Sequence, residues 1–99
     1  MKARQRYRYR ARQGDVIVDM VIWALPSPTP ERQHGIKYRL HCGREGHCVV
    51  RYDNETGKGD HRHEGEQETP YHFISLDQLI ADFRNDCTRL AGWRWNESN

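Results

Sequence analysis

Polar and apolar residues alternate along much of the chain, and this alternation defines the expected strands. Between residues 3 and 12, every even position is an arginine and every odd position is alanine, glutamine or tyrosine. A period of two is typical of a β-strand, so the segment predicts a strand with one arginine face. Residues 16–25 are apolar on both faces except at Asp19, which indicates a central strand covered on both sides.

The next two alternating segments predict a β-hairpin. Residues 36–42 alternate between apolar and basic side chains, and residues 47–53 resume the alternation after a turn at 43–46. Glycine at both ends of that turn supplies the positive φ angles that a tight turn requires. Residues 26–35 begin with three prolines in five positions, so they cannot continue a strand ladder and predict an exposed loop.

The second half of the chain predicts a loop, a short strand and a helix. Residues 54–69 are glycine-rich and charged without a clear period, which is typical of a loop, and residues 71–74 are a candidate short strand. Ser75 and Gln78 match a capping box at a helix start, and Gly92 marks its end. Apolar residues at the helical period form one stripe: Leu76, Leu79, Ile80, Phe83, Cys87 and Leu90. We therefore expect an α+β fold, a small antiparallel sheet of four to five strands with one C-terminal helix packed on one face.

Composition indicates one small domain with a thin core. The 99 residues are 35% hydrophobic and 30% charged, so we expect one domain over residues 1–91 and a C-terminal tail over residues 92–99, a candidate docking segment with two tryptophans. No apolar run approaches the roughly 20 residues of a membrane span, and the basic start lacks a signal peptide's apolar stretch. The odd number of cysteines fits a reducing compartment: Cys42, Cys48 and Cys87. The expected location is the cytoplasm, without a membrane partner.

The basic residues are unevenly distributed and predict a nucleic-acid-binding face. The net charge is only +2, but residues 1–12 contain six Lys or Arg and no acid. If the helix covers the opposite face, these arginines share one plane with Lys37, His41 and two more arginines, and arginine binds phosphate with two donors. The nucleic-acid-binding candidates are Arg4, Arg6, Arg8, Arg10, Arg39 and Arg51. The alternative is a solvated strand whose charges prevent edge aggregation, or pair with the acidic segment 53–68.

Residues 52–63, with the sequence YDNETGKGDHRH, contain the densest set of groups able to do chemistry. Metal-independent RNA cleavage needs a base, an acid and fixed cations, and histidine titrates near neutral pH. The two histidines are the candidate acid/base pair, with a lysine and an arginine as charge stabilisers and an aspartate that holds one imidazole in its useful tautomer. The catalytic candidates are therefore His61, His63, Lys58, Arg62, Asp53 and Asp60. The simpler alternative is a flexible polar loop whose glycines only turn the chain.

Two metal sites are weaker alternatives. The two histidines of a His-x-His segment lie on one side of an extended chain, where Asp60 or Asp53 can complete a ligand set. The second alternative is zinc between the His41-Cys42 and His47-Cys48 pairs, but neighbouring side chains in a hairpin point to opposite faces. We therefore expect no metal and no cofactor. Gly57-Lys58-Gly59 lacks the spacing of a P-loop, which argues against nucleotide hydrolysis.

Several of these segments resemble the TumE-type toxins of bacterial toxin-antitoxin systems. The resemblance spans about residues 3–90, and its most specific part is YDN followed by GKGDHRH; the other segments are residues 18–23, residues 37–40, Pro70-Tyr71 and residues 75–83. It implies a growth-inhibiting toxin made beside a DNA-binding, helix-turn-helix antitoxin, with RNA as the target. It supplies no catalytic assignment. The chain departs from the usual pattern at Cys42 and Cys48 and in its tryptophan-containing tail.

The leading hypothesis is a toxin acting on RNA, with histidine acid/base chemistry and Lys/Arg phosphate stabilisation. The residues leave open whether the protein is an enzyme; if it is, we expect a metal-independent endoribonuclease. The main rival is a non-enzymatic module whose arginine face binds nucleic acid or an acidic protein, and a third hypothesis is a metal-dependent nuclease. The exposed first strand allows an edge-to-edge homodimer, although its arginines oppose close pairing.

Overall fold

The computed structural model describes residues 3–55 and 57–95, which form one antiparallel sheet and one helix. Each strand pairs with the next one in the chain, so β1 and β6 are the edges. The elements are β1 (Arg4–Gln13), β2 (Val16–Ala24), β3 (Ile36–Arg44), β4 (His47–Asp53), β5 (His61–Glu64), β6 (Gln67–Pro70) and α1 (Leu76–Ala91). The expected α+β fold with a C-terminal helix is confirmed, with six strands instead of four to five.

The additional strands arise in the segment that was predicted to be a loop. β5 and β6 form a hairpin over residues 61–70, almost all of it in the segment 54–69, and its turn includes Gly65, whose φ of 60° is in the left-handed region. Residues 71–74, predicted as a short strand, form none. β5 and β6 contain almost no apolar side chain, so hydrophobic periodicity could not indicate them.

The core lies between the sheet and α1. It is built from alternate residues of β2, β3 and β4 and from the apolar stripe of the helix, including Leu40, Tyr52 and Phe83. The helix begins as expected, because the Ser75 side chain accepts a hydrogen bond from the Gln78 N–H at 3.0 Å. It ends at Gly92, whose φ is 70°. Within the described residues, no helix has the length and apolar character needed to cross a membrane.

The segment after the helix packs on the domain. Trp93 is 1% exposed and belongs to the core, and the half-buried Trp95 lies against Tyr9 and beneath the Arg84 guanidinium. Trp93 and Trp95, which follow the boundary predicted at residue 91, therefore pack on the domain. The rest of the predicted tail, residues 96–99, lies outside the described residues.

Candidate functional site

Four polar side chains meet on the open face of the sheet, the face opposite α1. In the register of β4 and β5, Arg51 pairs with His63 and Asp53 pairs with His61. Paired residues of an antiparallel ladder point to the same side, and the residues between them point to the other. The four side chains therefore form one cluster, which we call the β4–β5 quartet.

His61 is held at the centre of the quartet by both ring nitrogens. Its Nδ1 is 3.0 Å from the Gly59 carbonyl oxygen, and its Nε2 is 2.7 Å from Asp53 Oδ1 and 3.5 Å from Glu68 Oε2. A carbonyl and a carboxylate both require a donor, and a neutral imidazole has only one N–H. Both ring nitrogens of His61 therefore face oxygen atoms, which fixes the orientation of the ring. The ring is buried, with 5% of the residue exposed.

His63 is the more accessible histidine and is held as an acceptor. Arg51 Nη2 donates to His63 Nε2 at 2.9 Å, so this nitrogen bears the lone pair and the ring is neutral. Burial lowers the pKa of His63 below its ordinary value, and the Arg51 guanidinium lowers it further. The two histidine rings are 5.0 Å apart, nearly perpendicular. The pair thus combines one histidine whose two ring nitrogens face oxygen atoms with one whose Nε2 accepts from an arginine.

Arg51 links the two halves of the quartet. Its Nε is 2.8 Å from Asp53 Oδ2, while its Nη2 reaches His63. Asp53 is buried, and the Arg51 guanidinium at this distance offsets the cost of burying its carboxylate. The contacts of the quartet therefore follow one order. Asp53 lies between His61 and Arg51, and Arg51 lies between Asp53 and His63.

Two histidines of the open face, His41 and His63, predict how the stability of the fold depends on pH. Burial lowers the pKa of His41 and of His63, and the neighbouring arginines Arg39 and Arg51 act in the same direction on His41. Below about pH 6.5 the unfolded chain then binds more protons than the native state, so stability falls as the pH falls. We expect the melting temperature to decrease as the pH falls from about 7.5 to 5.5. For a His41→Gln/His63→Gln variant we expect a smaller decrease over the same pH range. An equal decrease in both proteins would contradict this.

Three members of the quartet can also hold a metal ion. Asp53, His61 and His63 each offer a ligand atom, and these atoms lie within 4.8 Å of one another. The Gly59 carbonyl holds the other nitrogen of His61, as is common for metal-bound histidine. However, the Arg51 guanidinium already contacts Asp53 and His63, and its positive charge opposes a second cation there. The donor set fits a divalent ion only if Arg51 moves aside.

Arg62 lies on the helix side of the sheet, away from the two histidines that flank it in sequence. Its Nε donates to Asp86 Oδ2 on α1 at 2.9 Å, and Tyr52 and Arg89 donate to the same carboxylate. Burial alone would raise the pKa of Asp86, but these three hydrogen bonds hold it below its ordinary value. The structure therefore does not bring Arg62 to the quartet. It joins β5 to the helix instead.

Replacing Arg62 by methionine should affect stability without changing the quartet. Asp86 would lose a charged donor in a largely buried position, so we expect the free energy of unfolding to fall by about 1–3 kcal/mol. Denaturant titration measures the loss, with exposed Arg12→Met as the control. The pKa of His63, followed by NMR, should stay unchanged; a shift in it would place Arg62 in contact with the open-face chemistry.

The contacts of the other two loop candidates, Asp60 and Lys58, involve residues outside the quartet. Asp60 Oδ2 is 3.0 Å from His34 Nε2, and His34 stacks on Phe73 with ring centroids 3.8 Å apart. Of the two candidate aspartates, only Asp53 contacts His61. Lys58 is exposed in the turn beside Gly57, where its backbone N–H donates to the Glu55 carbonyl.

The open face extends the quartet into a basic plane across the whole sheet. Successive strand registers define two rows of side chains that run from β1 to β6. The first row is Arg10, Asp19, His41, Arg51, His63 and Glu68, and the second is Arg8, Val21, Arg39, Asp53, His61 and Pro70. Arg10 binds Asp19 at 3.0 Å. The predicted basic residues Arg8, Arg10, Arg39 and Arg51 therefore lie in the same two rows as His63 and His61.

β2 has a cover only on its helix side. Val21 is nevertheless buried, between Arg8 and Arg39 in its row. The aliphatic stems of long basic side chains can shield apolar residues in this way. The apolar character of both faces of β2 is therefore explained without the second covering layer that the sequence suggested.

A bulge removes part of the arginine strand from this plane. The register of β1 shifts between Gln5 and Tyr7, so Arg6 is the additional residue and Arg4 pairs with Ala24. Ala24 is in phase with the helix-facing residues of β2, so Arg4 falls on the helix side. The shift breaks the strict alternation from which Arg4 was assigned to the basic face.

The cysteine–histidine pairs around the β3–β4 turn do not converge. Cys42 is buried in the core, whereas His41 belongs to the open face. Cys42 and Cys87 are both buried, so these cysteines act as small core residues. Strand alternation predicted this separation of His41 from Cys42. In a four-ligand zinc site, all four side chains would face one ion.

Sequence reasoning missed the role of two site residues. Arg51 was assigned only to the basic face, although it also bridges Asp53 and His63. Glu68 was not selected at all, yet its carboxylate lies 3.5 Å from His61. The Arg51–His63 and Glu68–His61 contacts could not be read from spacing, because they depend on how β5 pairs with β4 and β6, and β5 and β6 have no apolar pattern.

Comparison with known proteins identifies the family. The family model described as Toxin TumE matches residues 1–91, almost the whole of the described chain. The chain belongs to the TumE toxin family. Searches of curated proteins and of solved structures gave no match. Membership of the TumE family identifies a toxin of a toxin-antitoxin system and implies an antitoxin partner.

Proposed function

We propose that this TumE toxin acts on RNA as a metal-independent endoribonuclease whose acid and base are His61 and His63. The observation that supports this most directly is the position of the β4–β5 quartet within the basic plane, on one face of the sheet. A phosphodiester bound by Arg39 and Arg51 would lie beside both histidines. The toxin family is consistent with such an activity, because cleavage of cellular RNA stops growth.

The proposed reaction uses the 2′-hydroxyl of the RNA as its nucleophile. In the proposed reaction Arg51 turns from His63 Nε2 to the phosphate, and the freed lone pair of His63 removes the 2′-hydroxyl proton as the new P–O2′ bond forms. His61, protonated in this mechanism, gives a proton from Nε2 to the departing 5′-oxygen as the P–O5′ bond breaks. Arg51 stabilises the negative charge on the phosphorane. Asp53 orients His61. The products are a 2′,3′-cyclic phosphate and a 5′-hydroxyl end.

Access to His61 requires a small rearrangement at the edge of the sheet. His61 is buried, and the Glu68 carboxylate lies 3.5 Å from its Nε2. The Glu68 side chain is 46% exposed and stands on the edge strand β6, so it is free to rotate away. In this proposal the substrate phosphate displaces Glu68 and takes over its contact with the histidine.

The proposed partners are RNA and a cognate helix-turn-helix antitoxin. β1 is an exposed edge strand of ten residues, which also offers backbone for a homodimer. The arginines of β1 oppose pairing of two such strands by charge repulsion. An acidic partner is favoured at this edge over a second copy.

A binding module without catalysis is the second candidate. It is favoured by the burial of His61 and Asp53, since a structural ion pair between β4 and β5 would look the same. Such a module would bind RNA with an affinity that falls steeply with salt and would produce no new ends. A metal-dependent nuclease is the third, favoured by the convergence of Asp53, His61 and His63.

One experiment separates these candidates. Metal-free protein is incubated with total cellular RNA, with and without chelator and divalent ions, and the RNA ends are sequenced. New 5′-hydroxyl ends in the presence of chelator support the proposal. Ends that appear only with a divalent ion support the metal-dependent nuclease, and intact RNA under every condition supports pure binding.

A further inference from the structure

A cleft on the open face lies directly beside the quartet. Its volume is about 390 Å³, and it is lined by Trp23, Lys37, Tyr38, Arg39, Asp53 and Glu55. Asp53 is shared with the quartet, so a ligand in the cleft would be next to the proposed reacting phosphate. The cleft combines two aromatic residues, two cations and two carboxylates.

Trp23 has no role in the core that would explain its position. It lies outside the hydrophobic core of the described residues, is half-buried and pairs with Lys37 across the β2–β3 ladder. The Lys37 Nζ lies 5.4 Å from the centroid of a Trp23 ring, at cation–π distance. A tryptophan on a basic open face is the arrangement with which proteins stack an unpaired nucleobase.

We propose that this cleft binds a guanine base of single-stranded RNA next to the cleaved phosphate. Trp23 stacks on the base, and Lys37 and Arg39 hold the flanking phosphates. Glu55 reads the base edge. This inference rests on the proposed action on RNA and adds a sequence preference to it.

The chemistry of Glu55 selects guanine among the four bases. A carboxylate only accepts hydrogen bonds, so it favours an edge with two adjacent donors. Guanine presents N1–H and the N2 amino group side by side, whereas adenine, cytosine and uracil each present a single donor group on the corresponding edge. The positive charges of Lys37 and Arg39 offset the repulsion between the Glu55 carboxylate and the phosphates of the RNA backbone.

The test measures binding without cleavage. Labelled 2′-O-methyl oligouridines with one central guanine, adenine or inosine have no free 2′-hydroxyl, so fluorescence anisotropy with the full chain gives their affinity directly. We expect guanine to bind roughly ten-fold more tightly than adenine, and inosine, which lacks the N2 amino group, to lie between them. Equal affinity for guanine and adenine would overturn the guanine assignment.

Variants then test the two side chains. Trp23→Ala should weaken binding of the guanine oligonucleotide roughly ten-fold, whereas Trp23→Phe should largely retain it. Glu55→Gln should remove the preference for guanine over adenine. Tyr7→Ala is the matched control, because Tyr7 is 43% exposed on the opposite face and should not change binding. Unchanged binding by folded Trp23→Ala would overturn the stacking role.

The same measurements separate this inference from the proposed function. Guanine-selective binding with no cleavage of ordinary RNA would support the cleft and overturn the ribonuclease. Cleavage without guanine preference, at sites unaffected by Trp23→Ala, would support the ribonuclease and overturn the cleft.

Discussion

Replacement of His63 by alanine is expected to lower RNA cleavage by roughly 10²- to 10⁴-fold and to abolish growth inhibition, with the fold intact. The side chain is partly exposed, and its removal leaves the core untouched. What is lost is the acceptor nitrogen that Arg51 orients at 2.9 Å. Cleavage rates on a defined RNA, together with growth after induction, measure the effect, and circular dichroism verifies the fold.

The matched control is His47→Ala. His47 is an exposed histidine at the start of β4, where it pairs with Arg44 near the turn, outside the part of β4 that pairs with β5. We expect its cleavage rate to remain within about two-fold of the original protein, as for an exposed residue outside the site. Full activity of folded His63→Ala would eliminate His63 as the base, and equal losses in both variants would indicate a general effect of removing surface charge.

Replacement of Phe83 by alanine should destabilise the protein by about 3–5 kcal/mol. Phe83 is completely buried where α1 meets the sheet, and its ring packs edge-on against Tyr52 with centroids 6.0 Å apart. Truncation leaves a cavity between helix and sheet. Because a small domain has only about 5–15 kcal/mol of stability in total, much of the variant is expected to be unfolded at 37 °C.

The conservative variant Phe83→Leu tests whether the effect comes from lost volume. Leucine fills most of the space, so we expect a loss below about 1.5–2 kcal/mol. Chemical denaturation gives both values if the slope of the transition is unchanged. A loss below about 1 kcal/mol for Phe83→Ala would mean that α1 contributes little to covering the sheet.

The parts of the fold that were predicted from sequence are those with an apolar period. β1, β3 and β4 alternate visibly, β2 is a nearly continuous apolar run, and α1 has both an apolar stripe and a capping serine. The positions of these elements therefore followed from local physics. β5 has the sequence His-Arg-His-Glu and β6 has Gln-Glu-Thr-Pro. Such strands are specified by pairing with a neighbour and not by burial of their own side chains, so pattern analysis assigned them to a loop.

The same limit explains what was predicted of the candidate site. The residue types needed for acid/base chemistry pointed to His61, His63 and Asp53, and the structure places these three together. Arg62 was grouped with them because a loop has no defined sides. Once the segment is a strand, alternation alone separates Arg62 from both histidines. Asp60 was equally plausible as an orienting carboxylate until the β4–β5 register favoured Asp53.

The order of the sheet has a consequence for how an active toxin is produced. Every strand pairs with its immediate predecessor, so hairpins can form one after another with little loop closure. The apolar face, however, stays exposed to water until α1, the last element, is added. A translation product that ends before residue 76 should be unable to hold the sheet together. Synthesis therefore delivers the strands of the sheet first, and the toxin can fold only after α1 has been made.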